Sequence, residues 1–149
     1  MSTVDLGEYT AGVHQLIPIL EKMELEITEV GNGRASARIP LEPNRNHFGV
    51  IYAGCLFTVA EMLGGVIGFN DLAMDGYVPL VKRLDITFSR PATTTVTAST
   101  SLSAEEIERV RAEAEADGKS DFKLVCDVVD ENGVVVASTH GDYQLRRMS

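Results

Sequence analysis

The sequence predicts an α+β fold in which an antiparallel sheet of about six strands wraps around one long central helix. The helix is indicated by the longest apolar run of the chain, from Cys55 to Phe69, which Asn70 and Asp71 close and which is apolar on nearly every side, as is typical of a buried helix. The strands are indicated by segments in which polar and apolar residues alternate, nearly all the long ones in hairpin order. At 149 residues the chain has the size of one domain, so residues 1–149 are treated as one unit.

The amino-terminal part predicts a broken helix and then a β-hairpin. Apolar residues recur at helical spacing between Val13 and Leu20, and Pro18 breaks or restarts that helix because it lacks a backbone donor. Residues 24–28 and 34–39 alternate between polar and apolar and predict two strands. The Gly-Asn-Gly triplet between them favours a tight turn.

The second half of the chain predicts one more helix and four strands. That helix begins at Ser103 with a Ser-x-x-Glu capping box and ends at Asp117-Gly118. In the last hairpin, Asn132-Gly133 favours a two-residue turn, and Gly141 is a candidate β-bulge. The four strands are expected at residues 78–89, 94–102, 122–129 and 134–145.

Composition narrows the expected partners and compartment. A net charge of −9 argues against nucleic acid or an anionic membrane surface as the main partner. Cys55 and Cys126 lack metal-type spacing and the histidines are scattered, so we expect no metal site and two buried thiols of a reducing compartment. Because no signal-peptide pattern is visible and Glu61 interrupts the apolar run, we expect a cytoplasmic protein without a membrane span.

Glu61 needs an explanation because it lies near the middle of the apolar run. A carboxylate is almost never fully buried without a partner. Gly64, Gly65 and Gly68 follow it, and each glycine costs a helix about 1 kcal/mol relative to alanine, so a backbone or a ligand is expected to approach closely there. Glu61 is therefore a candidate active-site acid or base. The alternative is a structural carboxylate satisfied by loop amides around residues 46–49.

The start of the helix offers a second chemical feature. The first backbone N–H groups of a helix have no partner within it, and the helix dipole adds partial positive charge there. Near Ala53 and Gly54 small side chains leave these groups open, so they are able to polarise a carbonyl and stabilise an oxyanion. Together with Glu61 this predicts attack on an acyl group. Signatures of nucleophilic triads, phosphate loops and dinucleotide sites are absent from the sequence.

The pattern Asn46-x5-Tyr52-Ala53-Gly54-x6-Glu61 resembles the hotdog-fold acyl-CoA thioesterases of the PaaI-related branch. In that family an Asn or Gln lies upstream of a His-Gly-Gly that opens the central helix, and an Asp or Glu follows inside the helix. The chain is most similar to a less-characterised subgroup with Ala-Gly at the helix start and Glu as the acid. Residues 87–92 are similar to the family's third-strand ending, and the element order matches from about Leu16 to Leu145.

This resemblance implies hydrolysis of an acyl-CoA thioester, with coenzyme A as part of the substrate and no other cofactor. It implies that Glu61 acts as general base or nucleophile and that Asn46 orients water or the acyl group, although Asn46 is equally suited to a turn. The N–H groups of Ala53 and Gly54 form the oxyanion hole in this scheme. It further implies a homodimer whose sheets pair edge to edge, or a dimer of dimers.

Further residues are expected to contact the substrate. They are His47, Tyr52, Thr58 and Gly65 for the acyl and thioester part, and Lys82, Arg83 and Arg90 for the CoA phosphates. For His47 a structural role in the loop is the first interpretation. Arg109 and Arg111 are additional phosphate candidates, and the alternative for them is a solvated surface helix.

Two other functions remain open at the level of sequence. Tyr52 replaces the His of many relatives and Ala53 replaces their first Gly, which motivates a non-enzymatic protein that binds acyl ligands. A hotdog dehydratase or hydratase is disfavoured, because only His47 stands near the helix acid.

Overall fold

The computed structural model describes residues 3–148 and shows a six-stranded antiparallel sheet around a helical rod, which confirms the predicted fold class. The elements in chain order are α1 (Leu6–Leu16), α2 (Pro18–Lys22), β1 (Glu26–Gly31), β2 (Arg34–Ile39), α3 (Ala53–Glu61), α4 (Leu63–Asn70), β3 (Tyr77–Phe88), β4 (Val96–Ser101), α5 (Ala104–Asp117), β5 (Lys119–Val129) and β6 (Val135–Arg147). Helices α3 and α4 form the rod, and the concave face of the sheet packs on it.

The strand order in the sheet is β1-β2-β4-β5-β6-β3, so β1 and β3 are the two edges. The expected hairpin order is right for β1–β2 and β5–β6 but wrong for β3. That strand pairs with β6 along its whole length, from Tyr77 opposite Arg147 to Phe88 opposite Ala137. As a result one long side of β3 is left without a strand partner in the described chain.

The rod is slightly interrupted near its middle. Met62 separates α3 from α4 but keeps helical dihedral angles (φ −64°, ψ −18°), and the N–H of Gly65 donates to its carbonyl at 3.0 Å, which tightens one turn. The rod ends at Asn70, with Asp71 as the capping residue, where the sequence predicted that the run closes. The segment Ala53–Asn70 is long and apolar enough to span a membrane, a criterion that the core helix of a globular protein also meets. Half of the segment is buried inside this fold.

The glycines of the rod have different surroundings. A Cβ on Gly64 would lie 1.9 Å from Cε1 of Tyr143, and a Cβ on Gly68 would lie 2.3 Å from Cβ of Pro79. The predicted close approach is therefore confirmed at these two positions, but side-chain rings of the sheet fill the space and not the backbone or ligand that was expected. Nothing lies within 4 Å of a Cβ placed on Gly65.

Local signals predicted most boundaries correctly. Pro18 occupies the first turn of α2 after the break, and Asn32 and Gly33 both have positive φ (55° and 73°), as a type I′ turn requires. In α5 the hydroxyl of Ser103 accepts from the N–H of Glu106, and the helix ends at Gly118 in the left-handed conformation.

Two predictions for the last hairpin, the two-residue turn and the bulge at Gly141, are wrong. In its turn only Gly133 has positive φ, because Asp130 Oδ1 accepts from the N–H groups of Asn132 and Val134 (both 2.9 Å) and organises a longer loop. Gly141 lies in regular register, and the irregularity of the β3–β6 pair falls at Val81/Arg83. A Cβ on Gly141 would instead meet the ring of Tyr143 at 2.6 Å.

Candidate active site

Glu61 is half-buried at the end of α3 and faces a cavity of about 190 Å³. The cavity is also lined by Tyr143 and, from the edge strand, by Leu80 and Val81. Burial raises the pKa of Glu61, and no hydrogen bond to its carboxylate is found among residues 3–148. An unpartnered carboxylate in such surroundings is held ready to accept a proton.

The structural alternative for Glu61 required amides of the 46–49 loop, and these amides are used elsewhere. The N–H groups of Phe48 and Val50 donate to Asn46 Oδ1 at 2.9 and 3.3 Å, and the N–H of Gly49 donates to the Asn46 carbonyl at 3.1 Å. The loop is therefore closed on itself through Asn46, as expected for an Asn that organises a turn. It does not satisfy Glu61.

Tyr143, which the sequence analysis did not single out, fixes the backbone at this point. Its hydroxyl donates to the Glu61 carbonyl at 3.1 Å, and its ring stacks on Phe122 with centroids 5.5 Å apart. Burial, followed by the charge of Glu61, raises the pKa of Tyr143. The only sequence signal for this contact is the inward position of Tyr143 in the alternation of β6, since the two residues are 82 positions apart.

The helix start has the open donors that the sequence predicted. The Tyr52 carbonyl accepts from the N–H groups of Cys55 (2.9 Å) and Leu56 (3.2 Å), whereas those of Ala53 and Gly54 have no acceptor within residues 3–148. The ring of Tyr52 lies over Gly54, where a Cβ would come within 2.8 Å of its Cε2. Glycine is thus needed here for Tyr52 to adopt this position. The role of these donors in catalysis remains a prediction.

A second cavity, of about 350 Å³, opens at the helix start between Asn46, Ala53 and Arg90. In the described part of the chain the Arg90 guanidinium forms no ion pair or hydrogen bond, although its backbone N–H donates to Val136 O at 3.3 Å. Asn46 has its side-chain oxygen occupied by the loop, which leaves only the NH₂ group to face the cavity.

The two cavities have no lining residue in common. Glu61 and Ala53 stand at opposite ends of α3, and eight residues of helix separate them by about 12 Å along the axis. Within one chain the Glu61 carboxylate therefore does not reach a carbonyl bound at the helix start. Each chain carries both halves of the predicted site, but at a distance that a single thioester carbonyl cannot bridge.

The remaining predicted contacts are dispersed. Thr58 Oγ1 donates to the Gly54 carbonyl in its own helix at 2.8 Å, and Gly65 lines the Glu61 cavity. His47 is exposed beside the ring of Phe48, with centroids 4.0 Å apart, and Tyr52 is 57% exposed. His47 and Tyr52 thus form an exposed aromatic surface near the helix start.

Most of the candidate phosphate-binding cations have carboxylate partners. Lys82 pairs with Asp121 at 3.2 Å, Arg83 pairs with Asp85 at 3.1 Å, and Arg109 bonds to Glu106 and Glu113. Arg111 donates to the Ala73 carbonyl at 2.8 Å. Of the predicted cations, Arg90 is the one whose charged group has neither an ion pair nor a hydrogen bond within residues 3–148.

Cys126 is buried, as predicted, whereas Cys55 is only partly buried. Burial raises the pKa of the Cys55 thiol, and burial together with Asp127 raises that of Cys126 to about 11. Such thiols are poor nucleophiles at neutral pH. Within residues 3–148 there is no cluster of three or more side chains able to hold a metal ion.

A sheet wrapped around a central helical rod, with this strand order, defines the class: the chain has the hotdog fold of the thioesterase type. The Pseudomonas aeruginosa protein PA5026, described as a protein of unknown function and probable thioesterase, is 31% identical, with a TM-score of 0.87 over 97% of both chains. The Haemophilus influenzae thioesterase HI1161 is 18% identical, with a TM-score of 0.73 over 98% of this chain and 93% of its own. A Chlorobaculum tepidum protein of unknown function is 19% identical, with a TM-score of 0.84 over 95% and 94%.

The chain belongs to the family described as a domain of unknown function (DUF4442), whose model matches residues 8–145. No curated protein matches the chain at a significant level.

Proposed function

We propose that this protein is an acyl-CoA thioesterase of the PaaI-related branch, in which Glu61 activates the attacking water or attacks the carbonyl itself. The observation that carries the proposal is the half-buried Glu61 carboxylate, which has no hydrogen-bond partner in residues 3–148 and faces a cavity. The 31% identical relative named a probable thioesterase supports the same reaction.

The edge strand β3 explains how the two halves of the site come together. The Glu61 cavity takes Leu80 and Val81 from the beginning of β3, and the helix-start cavity takes residues 88–90 from its end. When two copies of an edge strand pair in antiparallel fashion about a twofold axis, the beginning of one lies beside the end of the other. Pairing of β3 would therefore bring Glu61 of one chain towards the helix start of its partner.

The surface of β3 supports this pairing. Leu80 and Val81 are 43% and 47% exposed, and an unpaired edge with apolar side chains invites a further strand. A homodimer, alone or within a dimer of dimers, is thus part of the proposed function. It removes the edge from water and completes two equivalent sites.

In the completed site the thioester oxygen accepts hydrogen bonds from the N–H groups of Ala53 and Gly54 of one chain. Glu61 of the other chain takes a proton from water as its oxygen adds to the carbonyl carbon. The C–S bond then breaks, and the thiolate of coenzyme A leaves with the proton that Glu61 returns. In the nucleophilic variant, Glu61 forms a mixed anhydride that water hydrolyses.

The remaining polar groups contribute to substrate binding in this proposal. Arg90, whose charge has no partner within residues 3–148, binds a phosphate of coenzyme A, and the Asn46 NH₂ group orients water or the acyl group. His47 and Tyr52 offer exposed rings to the carrier beside the helix start. Lys82 and Arg83 are in exposed ion pairs, which are weak enough to exchange for a phosphate.

The test is a panel of acyl-CoA thioesters with a thiol-reactive dye, accompanied by thermal unfolding with each compound. A thioesterase releases free coenzyme A from at least one member of the panel. A protein that only binds acyl ligands is stabilised by the compound without thiol release, and a hydratase changes the absorbance of an enoyl thioester without it. Either of these two results would overturn the proposed hydrolysis.

A further inference from the structure

The largest cavity beside the Glu61 site lies between α1 and α4, and we call it the α1–α4 groove. It measures about 610 Å³, which is within the range of small-molecule sites. Its walls come from Gly12, Val13 and Leu16 on α1 and from Gly65, Val66 and Phe69 on α4. None of its ten lining residues carries a charge, and only Tyr9 and Gln15 bring polar side-chain atoms. A charged or strongly polar ligand therefore finds no partner in it.

The groove continues directly from the Glu61 cavity. Ile17, Met62, Gly65 and Phe69 line both spaces. Gly65 follows Glu61 by four residues and therefore stands on the same face of the rod, one turn further. From Met62 to Phe69 the groove follows the rod for about 10 Å, which is the length of an extended octyl chain.

Two glycines keep the groove open. Gly12 in α1 and Gly65 in the rod both line it, and a Cβ on either would have no heavy atom within 4 Å. A glycine inside a helix costs about 1 kcal/mol relative to alanine, so each position gives up stability without a packing reason. At Gly64 and Gly68, which do not line the groove, the space that a Cβ would take is occupied by the side chains of Tyr143 and Pro79. The open space is thus specific to the groove wall.

Helix α1 is held so that the groove stays beneath it. Two hydrogen bonds hold α1 against β1 and Leu25, the residue that precedes β1. Thr10 Oγ1 accepts from the N–H of Ile27 at 3.0 Å, and His14 Nε2 donates to the Leu25 carbonyl at 2.7 Å. No residue of α1 is fully buried. Tyr9 and Val13 of α1 pack against the edge of the core and also line the groove, so both are only partly buried.

From these observations we propose that the α1–α4 groove binds the aliphatic chain of the acyl thioester whose carbonyl lies near Glu61. The proposal rests on the proposed function for the position of the carbonyl. It names the substrate class as straight-chain acyl groups of medium length, because the groove is apolar, elongated and open at the Glu61 end. Each methylene that enters it should tighten binding by about fourfold.

The test measures binding of non-hydrolysable S-alkyl-CoA thioethers, from butyl to dodecyl, by calorimetry. The dissociation constant of the wild type should fall by about fourfold per methylene up to about octyl and then level off. Gly12→Leu, which fills the groove and does not line the Glu61 cavity, should bind butyl-CoA as the wild type does and lose at least about tenfold in affinity for octyl-CoA. Gly65→Leu, which fills the groove from the opposite wall, should lose at least as much affinity for octyl-CoA. Ala11→Leu, on the exposed face of the same α1, is the matched control and should behave as wild type.

Because thioether binding needs no turnover, the two proposals can fail separately. If the protein shows this chain-length dependence but hydrolyses no acyl-CoA, the proposal for the groove stands and the proposed thioesterase activity is wrong. Equal affinity for butyl and octyl thioethers, no binding of either, or unchanged octyl affinity in both leucine variants overturns the groove. So does a change of oligomeric state in the leucine variants with unchanged octyl affinity, since the groove would then be an interface between copies. Gly65→Ala and Gly12→Ala provide smaller fillings should a leucine variant fail to fold.

Discussion

The two ends of α3 offer opposite environments to a substrate. At its start the helix is exposed, its first two N–H groups have no acceptor in the described chain, and the unpaired Arg90 stands nearby. At its end Glu61 is half-buried among apolar side chains and joins an uncharged groove. The first environment suits a polar oxygen and phosphates, and the second suits a water-activating carboxylate and an alkyl chain. In the proposed function neither end is therefore an active site alone, and each end can be tested separately.

The largest effect is expected at the Glu61 end. Glu61→Gln keeps the shape of the side chain but cannot accept a proton, so kcat should fall by about 10²- to 10⁴-fold. Thiol release from the best acyl-CoA of the panel measures this. Glu105→Gln, on the exposed side of α5, should leave kcat unchanged. Full activity in Glu61→Gln would remove this residue from the mechanism.

At the helix start a proline can delete one donor without disturbing the helix. Ala53 is the first residue of α3, where proline is well tolerated, and Tyr52 before it already has the extended conformation that a following proline requires (φ −60°, ψ 137°). Ala53→Pro should therefore lower kcat by about 10²- to 10³-fold through loss of an oxyanion donor.

The matched control is Ala104→Pro, the equivalent first position of α5. It should leave kcat as in the wild type. If both proline variants keep full activity, the N–H of Ala53 does not contribute to the oxyanion hole.

Adjacent glycines on the rod should respond with opposite sign. Gly64→Ala collides with the Tyr143 ring and should lower the free energy of unfolding by about 1–3 kcal/mol. Gly65→Ala points into open space and should raise it by up to about 1 kcal/mol through better helix propensity. Urea denaturation of both variants measures the two shifts. A shift of the same sign and size would mean that the groove wall is packed as tightly as the core.

Arg90→Ala should raise KM for acyl-CoA by about tenfold with little change in kcat, because a charge-assisted hydrogen bond to phosphate is lost. The same variant should leave KM unchanged for a short thioester without the nucleotide, such as an acyl pantetheine. The control for total charge is Arg34→Ala, which removes an exposed cation of β2 that pairs with Glu29 of β1. Equal KM changes in both arginine variants would indicate a general field effect rather than a phosphate contact.

The smallest effects concern pH. Since burial raises the pKa of Glu61, the acid limb of kcat/KM should lie above the usual glutamate range. The folded protein also holds this proton more tightly than the unfolded chain does. Its contribution to stability is thus fully present below the unfolded pKa and is lost as pH rises through the folded pKa.

Glu61→Gln should abolish this part of the pH dependence of stability. Urea denaturation of wild type and variant across the acidic range measures the difference. Parallel stability curves would show that Glu61 titrates normally.

The sequence predicted what depends on neighbouring residues and missed what depends on distant ones. The break at Pro18, the Asn32-Gly33 turn and the α5 caps follow from local backbone chemistry, and so does the helix around Glu61. The edge position of β3 depends on how distant strands pair, and the contact of Tyr143 with Glu61 joins residues that are 82 positions apart. A single sequence gives no signal for either. The distance between Glu61 and Ala53 along α3, by contrast, follows from the helical rise alone.

The most direct test of the account mixes the two inactive variants. When Glu61→Gln and Ala53→Pro chains are unfolded together in equal amounts and refolded, half of the dimers are mixed, and each mixed dimer contains one site with an intact Glu61 and an intact helix start. Thiol release should then recover to about a quarter of the wild-type rate, as follows from twofold symmetry. Recovery of no activity, with mixed dimers demonstrated by mass spectrometry, would contradict a site shared between two chains.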